Sequence, residues 1–160
     1  MKTNLVRILT LSGLIAAAGW GQEAPTAQAN SQRNTAGAPI AGVWDVAVTV
    51  VDCTSGALIR NVHSVQRYQA DGTFSEIAST GLRGSSIGYW FHQEAQLYGA
   101  GYFFFRYNPD GSFASFAKAA NAITLSADGN QFTVIGTIRD YDANNNLISN
   151  GCVTHVGKRL

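Results

Sequence analysis

Short turn sequences divide the chain from residue 41 onward at regular intervals. Asp71-Gly72, Asp110-Gly111 and Asp128-Gly129 separate runs rich in valine, isoleucine, threonine and aromatic residues. Asp-Gly turns between apolar runs are the strongest short-range signal for β-hairpins. Residues 113–122 come closest to helical spacing, but they lie between two of these turns, and we interpret them as a strand. The sequence therefore predicts an all-β domain.

Counting the runs between turns predicts eight strands. Strands joined by consecutive hairpins favour an eight-stranded antiparallel up-and-down β-barrel, because closure leaves no exposed strand edge. A two-sheet sandwich is the alternative arrangement. The predicted strands cover residues 42–53, 58–69, 73–80, 88–95, 100–108, 112–124, 131–142 and 147–159.

The first 29 residues have the pattern of an export signal. Basic residues precede an uncharged apolar run at 8–19, and Ala27-Gln28-Ala29 fits the small-x-small pattern of a cleavage site. We expect cleavage after Ala29, with Ala18 as the weaker alternative. A membrane anchor is the other interpretation, but a bilayer core of about 30 Å needs roughly 20 apolar residues. The pattern predicts a secreted or periplasmic protein.

The remaining chain is predicted to consist of a flexible leader at 30–40 and one barrel domain at 41–160. Removal of the signal takes Lys2, Arg7 and Glu23 from a chain with 11 basic and 10 acidic side chains, and leaves no net charge. Without a basic block, nucleic acid and anionic membrane surfaces are poor candidate partners. No phosphate-binding loop or dinucleotide fingerprint is present, so the sequence predicts no cofactor.

Two cysteines, Cys53 and Cys152, remain in the predicted barrel. In an exported protein such a pair most simply forms one disulfide, although two free thiols or a reactive cysteine are alternatives. If the two cysteines lie opposite each other, the first and last strands pair and close the barrel. That register sends one set of side chains from each strand inward: Trp44, Val46, Val48 and Val50 from the first strand, and Val153, His155, Gly157 and Arg159 from the last.

Gly42-Val43-Trp44 at the start of the first strand and Lys158-Arg159 at the end of the last resemble the calycin superfamily, which includes lipocalins and avidins. The resemblance implies that Arg159 packs across Trp44 as a structural plug of the barrel end. It also implies that a small apolar or aromatic ligand binds inside the barrel. Phe105-Arg106-Tyr107 through Phe113 is similar to a pattern in uncharacterised small secreted bacterial proteins, and that likeness implies no function.

The aromatic run from Tyr102 to Tyr107 must place rings on both faces of its strand, because neighbouring residues point to opposite sides. We expect one set to line the barrel and bind the ligand, and Tyr102 and Phe104 to face outward. A homodimer through the outer face of 102–106, or cover from the leader, would bury the outward rings. The predicted ligand-binding residues are Tyr68, Trp90, Phe103, Phe105, Tyr107, Phe132 and His155.

Polar residues with possible chemistry are few. His63, His92 and His155 lack metal-ligand spacing, so no metal site is predicted. Glu76 and Arg83 flank one loop, and they either orient a ligand head group at the barrel mouth or form an exposed surface pair; we expect the surface pair. Residues 140–144 resemble the start of a calcium loop but lack its glycine and final glutamate, so we interpret them as a hairpin turn.

These features favour an exported carrier or scavenger of a small molecule, with no catalytic residue assigned. A cofactor-independent isomerase or cyclase is one alternative, and its acid or base would come from His155, Glu76 or His92. An envelope interaction protein without a ligand is the other.

Overall fold

The computed structural model describes residues 40–160, which form a closed antiparallel barrel of eight strands in sequence order. The predicted up-and-down barrel with one disulfide is confirmed. The predicted signal and its cleavage site lie outside the described residues. No helix within residues 40–160 is long and apolar enough to cross a membrane. The strands are β1 (Gly42–Val51), β2 (Leu58–Tyr68), β3 (Thr73–Ala78), β4 (Ser86–Glu94), β5 (Leu97–Tyr107), β6 (Phe113–Leu125), β7 (Gln131–Tyr141) and β8 (Leu147–Arg159).

The Asp-Gly turns form as the sequence predicts. In the β2–β3 turn, Asp71 Oδ1 accepts a hydrogen bond from the backbone N–H of Thr73 at 2.9 Å, and Gly72 has a φ of 84°. In the β5–β6 turn, the carboxylate of Asp110 accepts from the backbone of Ser112 in the same way. Aspartate is favoured here because its short side chain can bond the backbone two residues on, and glycine because it tolerates positive φ.

β1 and β8 pair and close the barrel, with Trp44 opposite Arg159. Cys53 and Cys152 are bonded, but the predicted direct pairing of these two residues is wrong, since Val51 lies opposite Cys152. The offset is two residues, so each side chain keeps its face, because strand side chains alternate with a period of two. The inward set expected from both strands is the observed one, and His155 is 2% exposed.

The predicted facing of β5 is wrong. Tyr102 and Phe104 point into the barrel, and Phe103 and Phe105 lie on the outer face at 39% and 44% exposure. Tyr107 also does not point into the barrel, and its ring lies near Gly84 of the β3–β4 loop.

The physical reason for this facing lies in the glycines of β5. A Cβ built on Gly99 would lie 2.3 Å from the ring of Phe91, and one on Gly101 would lie 2.8 Å from the ring of Tyr89. The outward rings of β4 therefore lie over these two glycines. Phe103 and Phe105 share the phase of the glycines, and so they share the outer face.

Candidate functional site

Side chains fill the barrel end that contains Trp44, which we call the closed end. The guanidinium of Arg159 lies over the Trp44 ring, 4.2 Å from its centroid, and donates hydrogen bonds to the backbone oxygens of Ala41 and Gly129. The indole N–H of Trp44 donates to the backbone oxygen of Ile40 at 2.9 Å. Ile40, which the sequence assigns to the leader, is fully buried here. The aromatic floor above this plug consists of Tyr68, Phe74, Trp90, Tyr98 and Phe132.

A buried polar layer lies between the aromatic floor and the opposite end. Its centre is Glu76 of β3, which is 3% exposed. The Glu76 carboxylate accepts hydrogen bonds from Ser86 Oγ at 2.7 Å and from Gln66 Nε2 at 3.2 Å, and it forms an ion pair with Arg83. Arg83 Nη2 also donates to Ser86 Oγ at 2.6 Å. The expectation of an exposed surface pair is therefore wrong, because the loop before β4 folds the Arg83 side chain into the barrel.

His155 lies in the same layer, and both of its ring nitrogens are buried without a hydrogen-bond partner. Burial lowers the pKa of His155 to about 4; the Glu76 carboxylate opposes this shift and Arg83 adds to it. His155 is therefore neutral near pH 7. The side-chain hydroxyl of Ser64 is also buried without a partner. Buried polar groups in native proteins nearly always bond to protein, water or ligand, so this layer can bind a polar group or water.

The other two histidines lie away from this layer. His63 Nε2 lies 2.6 Å from the Asp45 carboxylate on the outer surface. His92 Nε2 lies 2.9 Å from the backbone oxygen of Ala95 in the β4–β5 turn. Of the acid and base candidates, the structure thus brings together Glu76 and His155 only. Within the described part of the chain, no group of three or more histidine, cysteine or acidic side chains is placed to hold a metal ion.

The end opposite the aromatic floor, which we call the mouth, has a cavity of about 310 Å³. Arg106 and Asp140 form an ion pair at its rim, with Arg106 Nε 2.5 Å from Asp140 Oδ1. Ser149 Oγ donates a hydrogen bond to the other carboxylate oxygen at 3.0 Å. The cavity walls combine apolar and polar residues: Val50, Ile59, Arg60, Arg106, Ile138, Asp140, Ser149, Asn150 and Gly151.

The outer face has a second depression, the outer aromatic groove. It has a volume of about 490 Å³ and lies over β4, β5 and β6. Its polar neighbour is Lys118, whose Nζ donates to Asn145 Oδ1 at 3.2 Å. Rings and small residues line the rest: Tyr89, Gly101, Tyr102, Phe103, Phe105 and Phe116.

The predicted ligand-binding residues fall into three places. Tyr68, Trp90 and Phe132 belong to the aromatic floor, His155 to the polar layer, and Phe103, Phe105 and Tyr107 to the outer face. Sequence reasoning did not single out the mouth residues or Gln66 of the polar layer, although one signal was present. Polar or charged side chains stand in the inward phase of otherwise apolar strands, as Arg60, Gln66, Arg106 and Asp140 show.

Comparison with protein-family models, with curated proteins and with solved structures gives no match for this chain. The eight-stranded barrel is compatible with a calycin-like fold. The contact between Arg159 and Trp44 agrees with what that resemblance implies.

Proposed function

We propose that this protein is an exported carrier or scavenger that binds a small apolar or aromatic molecule in the mouth of the barrel. The mouth cavity is the observation that carries the proposal. Its volume of about 310 Å³ lies at the lower end of the range of known ligand pockets. Such sites combine apolar walls with a few convergent polar groups, and Val50, Ile138 and the Arg106–Asp140 pair supply both.

The route of entry follows from the packing of the two ends. Arg159 and the aromatic floor close one end with side chains, so a ligand enters from the mouth. There it rests on Val50 and Ile138, with the unpartnered groups of the polar layer farther inside. The disulfide fits an oxidising compartment outside the cytoplasm, which supports export.

Titration with N-phenyl-1-naphthylamine, a neutral dye that fluoresces in apolar sites, tests this function. Gly151 lines the mouth, and a Cβ there meets Val50 at an ordinary contact distance of 3.5 Å. Gly151→Leu therefore fills the cavity, and we expect it to weaken dye binding at least tenfold. Phe105→Thr changes the outer aromatic groove and is the matched control. Absence of dye binding, or loss in Phe105→Thr alone, would overturn the proposal.

A cofactor-independent isomerase or cyclase is the second candidate, favoured by one observation. Glu76 and His155 share the buried polar layer, and His155 is neutral with a ring nitrogen free to accept a proton, which a general base needs. Such an enzyme would move a proton between carbon atoms of its ligand. Deuterium uptake from heavy water into a bound ketone, lost in His155→Gln, would support it.

The predicted homodimer is also a proposal, and the structure changes its contact residues. Phe103 and Phe105, rather than Tyr102 and Phe104, are the outward rings of the 102–106 segment. We infer that a second copy of the chain covers these rings and the outer aromatic groove, because Phe103 and Phe105 leave 39% and 44% of their surface in water.

A further inference from the structure

Three arginines from three different segments meet near the mouth. Arg60 comes from the start of β2, Arg83 from the β3–β4 loop and Arg106 from the end of β5. The guanidinium of Arg83 lies 3.7 Å from the centroid of the Phe104 ring, and that of Arg106 lies 5.0 Å from it. Phe104 is 1% exposed, so two positive charges contact one buried ring below the mouth.

Two of the three arginines have a carboxylate partner. Arg83 pairs with Glu76 in the polar layer, and Arg106 pairs with Asp140 at the rim. Arg60 lines the mouth cavity but makes no ion pair and no side-chain hydrogen bond with any residue of the described range 40–160. The cluster therefore has one positive charge that no carboxylate balances.

The direction of the pKa shift of Arg60 is consistent with an unbalanced positive charge in the cluster. Arg60 is exposed to solvent at the cavity wall, and its pKa is lowered first by partial desolvation there and then by the positive charge of Arg106, with a smaller effect in the same direction from Arg83; Asp140 acts in the opposite direction. The surroundings of Arg60 therefore disfavour its charge, and a negative group in the cavity would relieve this.

Carboxylates in the loops at this end are already engaged in their own turns. Asp52 accepts hydrogen bonds from the backbone N–H groups of Thr54 and Ser55 at 3.0 and 2.7 Å. Asp142 accepts from the backbone of Asn146 at 2.8 Å. These bonds stabilise the turns and hold the carboxylates in the loops.

From this charge arrangement we propose that the ligand of the mouth is an organic anion, with a carboxylate or sulfonate group bound to Arg60 and an apolar or aromatic body on Val50 and Ile138. The inference rests on the proposed binding function and adds the chemical class of the ligand. A guanidinium suits this role because its fixed donors match two anionic oxygens at once. The paired arginines are held by their own carboxylates, so Arg60 has the donors available.

Two dyes that differ in one acidic group separate this inference from the proposed function. N-phenyl-1-naphthylamine is neutral, and 8-anilinonaphthalene-1-sulfonate has the same rings with a sulfonate. We expect the wild-type protein to bind the sulfonate about tenfold more tightly, which corresponds to about 1.4 kcal/mol. Arg60→Gln should abolish this preference by weakening the sulfonate dye much more than the neutral dye, and Arg60→Lys should keep part of the preference.

Two variants serve as controls for net charge and for location. Arg139 is exposed on β7 and lies outside the mouth lining, so Arg139→Gln removes one charge and should keep the preference. Lys118 lines the outer aromatic groove, and Lys118→Gln should also keep it.

Four results would count against the inference. Equal binding of the two dyes, or an unchanged preference in Arg60→Gln, would overturn the anion inference and leave the proposed function standing. Loss of the preference in Lys118→Gln alone would place the anion on the outer face and overturn the inference. Binding of neither dye would overturn both proposals.

Discussion

His155 makes the stability of the barrel depend on pH. Its pKa is lowered to about 4 in the folded protein from an ordinary value of 6.5, chiefly because the ring is buried. The folded state therefore binds fewer protons than the unfolded state between these values, and unfolding becomes easier as the pH falls from 6.5 towards 4. Relative to pH 7.5, the expected loss in the free energy of unfolding is about 1 kcal/mol at pH 5.5 and about 2–3 kcal/mol at pH 4.5.

Urea denaturation of the wild type and of His155→Gln across this pH range measures the contribution of His155. Glutamine is polar, similar in size to histidine and does not titrate. On acidification, the free energy of unfolding of the variant should therefore fall less than that of the wild type, and the difference should be about the size of the losses given above. Ser64→Ala is the matched control, since it changes a buried polar side chain inside the barrel without removing a titrating group, and it should keep the wild-type pH dependence. Equal pH dependence in the wild type and His155→Gln would refute the reasoning, as would an imidazole titration of His155 near pH 6.5 by NMR.

Two further predictions concern the disulfide and the outer face. Replacing both Cys53 and Cys152 with serine should lower the free energy of unfolding by about 4–5 kcal/mol, because the bond closes a loop with a sequence separation of 99. Urea denaturation measures this loss, and an unchanged denaturation midpoint would contradict the prediction. If Phe103 and Phe105 are covered by a second copy, sedimentation should show a mass that rises with concentration, and Phe105→Thr should weaken that association. A single monomer mass across all concentrations would remove the dimer proposal.

The fold could be predicted because its signals are local. Each Asp-Gly turn marks the end of one strand and the beginning of the next, and the aspartate carboxylate makes the expected bond within the turn. Closure followed from one long-range clue, the cysteine pair. The register estimate was two residues off because Cys53 lies beyond the last paired residue of β1 rather than opposite Cys152. The predicted inward and outward faces of β1 and β8 were still correct, because a register shift by an even number of residues leaves each side chain on the same face.

The site was harder to predict, for physical reasons. The run from Tyr102 to Tyr107 has large rings in both phases, so alternation alone cannot tell inside from outside. Gly99 and Gly101 mark the outer face of β5, because the rings of β4 lie over them. This position is known only from the structure, so the glycines alone could not predict which rings face outward. Arg83 lies in a loop, where no periodicity predicts direction, and its side chain is buried through the ion pair with Glu76 on the preceding strand.

The pairing of β1 with β8 has a consequence for how the chain folds. Every other hydrogen-bonded strand pair in the barrel joins strands that are neighbours in sequence, whereas Val51 and Cys152 meet across most of the domain. Loop-closure entropy makes such a distant contact slow to form, and two strand edges stay open to other chains until it does. The cysteine bond lies beside this pairing, so the moment at which it forms would determine how long partly folded chains remain prone to aggregate.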